Sequence, residues 1–165
     1  MKLVISSDSI HKSGTETVLL PVFENFELPS SVRRTAALDK LLERVNRSGF
    51  QPSCGKSLRV LENTHQTLII GLGDAEKYDE DTFTKAARAA FNAAADSELA
   101  LTVEDWMVEN RSTEWTILHL AIAALTVKEP TKEPIKSKDN ARCVMHTRLA
   151  VQDAKGALEL GQAIG

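Results

Sequence analysis

The chain has 165 residues, a length that suits one full domain with its own core and leaves no room for two. With 42% hydrophobic and 26% charged residues it has the composition of a soluble globular protein, and its net charge of −3 gives no general attraction to nucleic acid or to an anionic membrane. No apolar run approaches the roughly 20 residues of a membrane span, and the first residues lack the apolar core of a signal peptide, so the predicted compartment is the cytoplasm.

The first third of the chain predicts two strands and a helix. Residues 2–6 and 17–23 are rich in apolar and β-branched side chains, which is typical of strands. Ser30 or Ser31 is placed to cap the helix that follows, and Gly49 to end it. Four residues of this helix recur at helical spacing and predict its buried face: Leu38, Leu41, Leu42 and Val45.

The middle of the chain predicts a pair of strands and a second helix. The strands cover residues 58–62 and 67–71, with a turn at 62–65. Residues 68–70 are apolar without alternation, which favours a strand covered on both faces. A helix follows the acidic residues 79–81. Its apolar stripe consists of Phe83, Ala86, Ala87, Ala90, Phe91 and Ala94.

The last third predicts a strand at 99–103, a helix at 113–126, a strand at 143–148 and a helix from Asp153. The inward face of the first helix comprises Ile117, Leu120, Ala121, Ala124 and Leu125. The inward face of the second comprises Ala154, Ala157, Leu158, Gly161 and Ile164. Between them lies a polar linker at 127–140, predicted to be exposed and loosely ordered. The alternation of strands and helices predicts an α/β fold.

Two glycine motifs resemble phosphate-binding loops and depart from them. Gly71 and Gly73 begin a dinucleotide-binding pattern, but Glu76 stands where the third glycine belongs and would repel a pyrophosphate. We interpret them as a tight turn from strand to helix. Gly55 and Lys56 match the end of a Walker A loop, but Phe50 replaces its first glycine.

No residue pattern predicts a catalytic, metal-binding or cofactor-binding site in this chain. The four histidines fall in separate elements without ligand spacing: His11, His65, His119 and His146. Cys54 and Cys143 are interpreted as reduced thiols. The lysines of the 127–140 linker are partly neutralised by acidic neighbours, so we interpret it as a solvated face, with a nucleic-acid contact as the alternative.

Four segments in order resemble the N-terminal domain of cytosolic leucyl aminopeptidases of the two-metal kind, peptidase family M17. The strongest is the block at 67–90, in which a Gly-Leu-Gly strand end and acidic residues precede an alanine-rich helix. The others are Ala37-Leu38-Asp39 with the later Gly55-Lys56-Ser57-Leu58, then Glu114-Trp115, then the helix ending in Gly161-Gln162-Ala163-Ile164. The resemblance covers nearly the whole chain, and its motifs concern packing and turns.

The resemblance implies a three-layer α/β/α sandwich with a mixed sheet, similar to a macro domain. It implies an N-terminal domain over residues 1–150, and over 151–165 the start of a helix leading to a catalytic domain. The parent would be a cytoplasmic homohexamer that removes N-terminal amino acids from peptides, using two zinc or manganese ions held in that catalytic domain. The metal-ligand signature Asn-Thr-Asp-Ala-Glu-Gly-Arg is absent here, so this segment alone is expected to be inactive.

The resemblance implies a role in hexamer assembly and beside the route to the active sites. The partners would be its own catalytic domain, the other subunits and the parent's peptide substrates, with no membrane. A binding module for DNA or for an ADP-ribose-like nucleotide is the alternative. Against the nucleotide, the Asn-Ala-Ala at 92–94 lies inside a predicted helix.

Overall fold

The computed structural model describes residues 1–8, 17–62, 65–95, 97–127 and 142–164. Within these ranges the strands are β1 (Lys2–Ser6), β2 (Thr17–Phe23), β3 (Ser57–Leu61), β4 (Gln66–Gly73), β5 (Leu99–Thr102) and β6 (Arg142–His146). The α-helices are α1 (Ala36–Arg47), α2 (Glu80–Ala93), α3 (Thr113–Leu125) and α4 (Val151–Ile164). None of the helices in these ranges is long and apolar enough to cross a membrane.

The strands form one mixed sheet in the order β1-β6-β5-β2-β4-β3. Every neighbouring pair is parallel except β3 and β4, whose short connection reverses the chain. Both faces of this sheet carry helices. A large apolar cluster joins one face to α2, α3 and α4, and a smaller one joins the other face to α1. The predicted α/β fold with three layers and a mixed sheet is therefore confirmed.

Side-chain spacing explains why the large cluster forms. The predicted stripe of α2 is wholly buried, from Phe83 to Ala94. Its alanines let the helix axis lie close to the sheet, where Leu68 and Ile70 of β4 belong to the same cluster. Asp79 caps α2 by accepting a hydrogen bond from the Thr82 amide at 2.9 Å, while the Thr82 hydroxyl accepts one from the Asp79 amide.

The predicted cap of α1 is wrong. The helix begins at Ala36, and the Thr35 hydroxyl accepts a hydrogen bond from the Leu38 amide at 3.1 Å. Ser31 lies four residues before this cap and donates its hydroxyl hydrogen to Asp105 instead. The predicted end at Gly49 is confirmed: the helix stops at Arg47, and Gly49 has φ +86°, which favours glycine.

Other predictions fail at the boundaries of elements. Leu125 and Ile164, predicted to face inward, are 37% and 60% exposed, and each is the last residue of its helix. Helix α4 begins at Val151, two residues earlier than predicted. Strands β5 and β6 stop before Val103 and Thr147, where the chain turns. His11 and the predicted linker at 127–140, apart from Val127, lie outside the described residues.

Helices α3 and α4 cross unusually closely because Gly161 has no side chain. A Cβ built on Gly161 would lie 2.7 Å from the Leu118 carbonyl oxygen and 2.9 Å from the Ala121 Cβ. Gly156, on the same helix, is exposed, and a Cβ built on it would have no neighbour within 4 Å among the described residues. The contact at Gly161 therefore fixes how α4 lies on α3.

We expect opposite effects from alanine at these two glycines. Gly161→Ala should destabilise the chain by about 1–3 kcal/mol, because backbone atoms of α3 must move to admit the methyl group. Gly156→Ala should stabilise it by up to about 1 kcal/mol, because alanine is the better helix former and meets no neighbour. Urea denaturation of the two variants measures both, and equal effects would contradict the close crossing.

Candidate functional site

Strands β2 and β5 stop pairing before they reach the carboxyl edge of the sheet. Their backbone pairing is confined to Thr17 with Leu99 and Val18 with Ala100, although β2 continues to Phe23 and β5 to Thr102. After β2 the chain continues to β3 at one side of the sheet, whereas after β5 it continues to β6 on the other side. This change of direction is a topological switch point, where open α/β sheets bind ligands.

Aromatic residues connect the carboxyl ends of β2 and β5. The Tyr78 hydroxyl donates a hydrogen bond to the Trp106 carbonyl oxygen at 2.6 Å, and the Tyr78 ring meets Phe23 edge to face at 5.4 Å between centroids. Burial raises the pKa of Tyr78, and the nearby Cys54 adds to the increase. Tyr78 is therefore a neutral donor at physiological pH, and it bridges the ends of β2 and β5.

Asp105 is a buried polar residue just after β5. It follows β5 in a short 3-10 helix at Val103–Trp106, is only 9% exposed, and accepts a hydrogen bond from the Ser31 hydroxyl at 2.7 Å. Desolvation raises the pKa of Asp105 to about 6, with a further increase from Glu104, while Ser31 and Arg148 act in the opposite direction. The carboxyl group is thus costly to ionise and has one neutral partner.

Glu104 ties the same 3-10 helix to the segment that leads into α4. Its carboxylate accepts hydrogen bonds from the Thr147 hydroxyl at 2.6 Å and from the Arg148 amide at 3.3 Å. The Thr147 hydroxyl in turn accepts one from the Leu149 amide at 3.1 Å. Glu104 and Asp105 therefore hold two segments that are distant in sequence, one before α4 and one before α1.

His146 is the last residue of β6 and directly precedes Thr147, the hydrogen-bond partner of Glu104. Cys143 and Met145 point into the large cluster, so by alternation His146 lies on the opposite face, which carries α1. Its Nδ1 donates to the Asp8 carbonyl oxygen at 2.7 Å, because a carbonyl can only accept. The Nε2 atom is buried and has no hydrogen-bond partner among the described residues.

The glycines of the Gly-Leu-Gly motif have a packing role. The Gly71 amide donates to Lys56 and the Gly73 amide to Pro52, so neither is available to a phosphate. A Cβ at Gly71 would lie 2.1 Å from the Ser53 carbonyl oxygen. The predicted turn starts later than expected: both glycines belong to β4, and the chain turns from Asp74 onward.

The remaining histidines and cysteines occupy separate places. The His65 Nε2 lies 3.0 Å from a carboxylate oxygen of Glu62, and His119 stacks on Trp115 with 4.2 Å between ring centroids. Cys54 and Cys143 are free thiols, as predicted. Within the described ranges, no three His, Cys, Asp or Glu side chains are grouped as a metal site would require.

The contact between Ser31 and Asp105 was not among the sequence predictions. Ser31 and Asp105 are 74 residues apart, and only the folded sheet brings them together. The available signal was the pair of acidic residues directly after a predicted strand, since the carboxyl ends of parallel strands share one edge.

A second surface lies on α4. Leu160 and Ile164 are 54% and 60% exposed, and their spacing of four residues makes them neighbours on the helix. The buried residues of the same helix, among them Ala154, Leu158 and Gly161, pack on α3 and the large cluster. Helix α4 thus has an apolar ridge, Leu160 and Ile164, that faces away from this domain.

Known proteins match the chain in sequence and in structure. Residues 19–127 match the sequence model for the N-terminal domain of the cytosol aminopeptidase family. A probable cytosol aminopeptidase of Nitrosomonas eutropha is 28% identical over 86% of this chain and 30% of its own length. Another, of Halorhodospira halophila, is 26% identical over 100% of this chain and 36% of its own length.

Two solved structures share the fold. A mutant of tomato leucine aminopeptidase superimposes with a TM-score of 0.70 at 12% identity, over 99% of this chain and 36% of that one. The bottromycin maturation enzyme BotP superimposes with a TM-score of 0.59 at 17% identity, over 90% of this chain and 30% of its own. The chain spans about a third of the length of all four proteins.

Asp105→Asn should remove a pH dependence of stability. Because the folded-state pKa of about 6 exceeds the ordinary 3.8, the protonated carboxyl favours folding. That stabilisation is complete below about pH 3.8 and is lost as the pH rises through about 6. The wild-type free energy of unfolding should therefore fall by about 2–3 kcal/mol relative to Asp105→Asn over this window.

Urea denaturation at a series of pH values measures this difference. Glu109→Gln is the matched control, since it removes an exposed carboxylate four residues away and should follow the wild-type profile. Parallel profiles for Asp105→Asn and the wild type would contradict the buried position of Asp105.

Proposed function

This chain belongs to the cytosol aminopeptidase family, as its N-terminal domain, and on that basis we propose that it is the non-catalytic part of a two-metal leucyl aminopeptidase. The parent protein would remove N-terminal amino acids from peptides in the cytoplasm. The length of the relatives supports this proposal, because the chain corresponds to only 30% and 36% of the two aminopeptidases compared.

The ridge of Leu160 and Ile164 on α4 is the observation that carries the proposal. Two large apolar side chains, each more than half exposed, favour burial against another surface. The contact of Gly161 with α3 fixes the direction in which they point. A following catalytic domain, continuous with α4, is the partner best placed to cover them. The domain would then assist hexamer assembly and flank the route to the active sites.

The catalytic metals would be held elsewhere in the parent. The chain lacks the Asn-Thr-Asp-Ala-Glu-Gly-Arg signature, and its described residues contain no group of side chains that fits a metal ion. In the parent, two zinc or manganese ions would polarise the scissile carbonyl and activate the attacking water.

A comparison of the full-length parent with the 165-residue chain tests this function. Only the parent should hydrolyse leucyl p-nitroanilide, and chelation should abolish its activity because the bound metals activate the water. Hydrolysis by the short chain, or a parent without metal-dependent activity, would contradict the proposal.

Charged residues introduced on the ridge should weaken domain docking in the parent without unfolding this domain. In the parent, Leu160→Asp with Ile164→Asp should weaken domain docking and lower the melting temperature or disperse the hexamer, because the carboxylates would be buried without partners. The same pair in the 165-residue chain should change its stability little, since both positions are exposed there. Calorimetry and light scattering measure the two effects.

Gln152→Asp provides the control for the ridge. It introduces the same charge at an exposed position in the first turn of α4, away from Leu160 and Ile164. A parent that tolerates the double ridge variant as well as it tolerates Gln152→Asp would show that no domain covers the ridge.

A further inference from the structure

An open cavity lies at the carboxyl edge of the sheet. Its volume is about 610 Å³, within the roughly 300–1,000 Å³ of small-molecule sites. It is lined by Glu24–Phe26, which follow β2, by Asn46 and Gly49 around the end of α1, and by residues 50–53 of the loop before β3. Because β3 is antiparallel to β4, this loop lies at the edge where β2 and β4 end. Open α/β sheets bind ligands outside that edge.

Two consecutive residues that line the cavity have backbone angles that favour glycine. Asn25 has φ +61° and Phe26 has φ +60°. Asparagine is tolerated in this left-handed region, but a large aromatic residue is an outlier there. Such outliers cluster at ligand-binding sites, where a side chain is kept despite its conformational cost. Phe26 and Phe50 both pack against the smaller apolar cluster, which anchors their rings beside the cavity.

Backbone hydrogen bonds fix the two segments that line the cavity. The Gly73 amide donates to the Pro52 carbonyl oxygen at 3.2 Å, which ties the loop before β3 to β4. The Phe23 amide donates to the Glu27 carbonyl oxygen at 2.8 Å, which closes the turn after β2. The cavity is therefore formed before a ligand binds, so that less conformational entropy is lost on binding.

The lining side chains supply both hydrogen-bond donors and acceptors. Asn25, Asn46 and Gln51 each carry an amide with two N–H donors and a carbonyl acceptor, and Glu24 adds a carboxylate. None of these four side chains forms a hydrogen bond or an ion pair with another described residue. All four are exposed, so a ligand has access to them.

These groups fit an uncharged ligand with several hydroxyl groups better than an ion. An anion would be repelled by Glu24, and among the described residues no lysine or arginine lines the cavity. An ammonium or a guanidinium has donors only, so it would leave the amide N–H groups without acceptors. A hydroxyl group both donates and accepts, so it can pair with either end of an amide.

We infer that this cavity binds a neutral polyhydroxylated ligand of the sugar class. Its hydroxyl groups pair with Glu24 and the three amides, while the C–H face of the sugar ring packs on the phenyl rings of Phe26 and Phe50. Phe26 is then retained for its ring, since glycine at this position would relieve the strain but remove the contact. The ligand is either a free monosaccharide or one unit of a longer glycan.

The methyl glycosides of glucose, galactose and mannose are the probes for the 165-residue chain. Cyclohexanemethanol is the control, because it has a ring of the same size and a single hydroxyl group. In NMR titrations at least one glycoside should give saturable shifts of the Asn25, Phe26 and Phe50 amide signals, and the control should give none. No saturable shift with any glycoside, or equal shifts with cyclohexanemethanol, would overturn the inference.

Two variants test the assignment to the lining side chains. Glu24→Gln should weaken binding about tenfold, because a charge-assisted hydrogen bond becomes a neutral one. Asn25→Gly should keep the fold, since glycine adopts φ +61° readily, and should also weaken binding about tenfold through loss of the amide. Glu27→Gln is the matched control, because Glu27 is exposed nearby but does not line the cavity. Wild-type affinity in Glu24→Gln or in Asn25→Gly would contradict the assignment.

A trisaccharide of the best-bound sugar distinguishes the two sources of the ligand. Higher affinity for the trisaccharide than for the methyl glycoside would identify a glycan, and equal affinity a free monosaccharide. These measurements do not involve peptidase activity, so a failure of the proposed function would leave the binding result unaffected.

Discussion

The large apolar cluster on one face of the sheet is the constraint on which the other features depend. It includes residues of five strands and of α2, α3 and α4, so these elements can lie in only one arrangement relative to each other. The alanines of α2 let it lie close to the sheet, and Gly161 lets α4 lie close to α3. Burial of this apolar surface stabilises the sheet, whose strand order places the switch point between β2 and β5.

The 3-10 helix at Val103–Trp106 connects the large cluster to two segments outside it. Val103 and Trp106 are buried in the cluster, while Glu104 and Asp105 between them reach outward. Each carboxylate accepts a hydrogen bond from a distant segment, Glu104 from the one before α4 and Asp105 from the one before α1. Four consecutive residues thus connect the core to the segments that lead into α4 and α1.

The sequence predicted the elements better than their contacts. Periodicity located the buried faces of α1 and α2, since local spacing decides which residues share a face. The α1 cap was missed because Ser31 and Thr35 are both good capping residues, and only the folded chain directs Ser31 to Asp105. The candidate site was missed for the same reason, because it depends on strand order, and local patterns do not encode strand order.

The contact at Gly71 has a consequence for the history of the family. The Pro52–Lys56 loop lies against the backbone of β4 and takes hydrogen bonds from Gly71 and Gly73. Any side chain at position 71 would displace this loop. A substitution of Gly71 therefore requires a different path of the loop. In related chains, we expect a residue other than glycine at this position only where the loop is shorter or follows another path. In those chains the end of β4 would no longer pack against the loop.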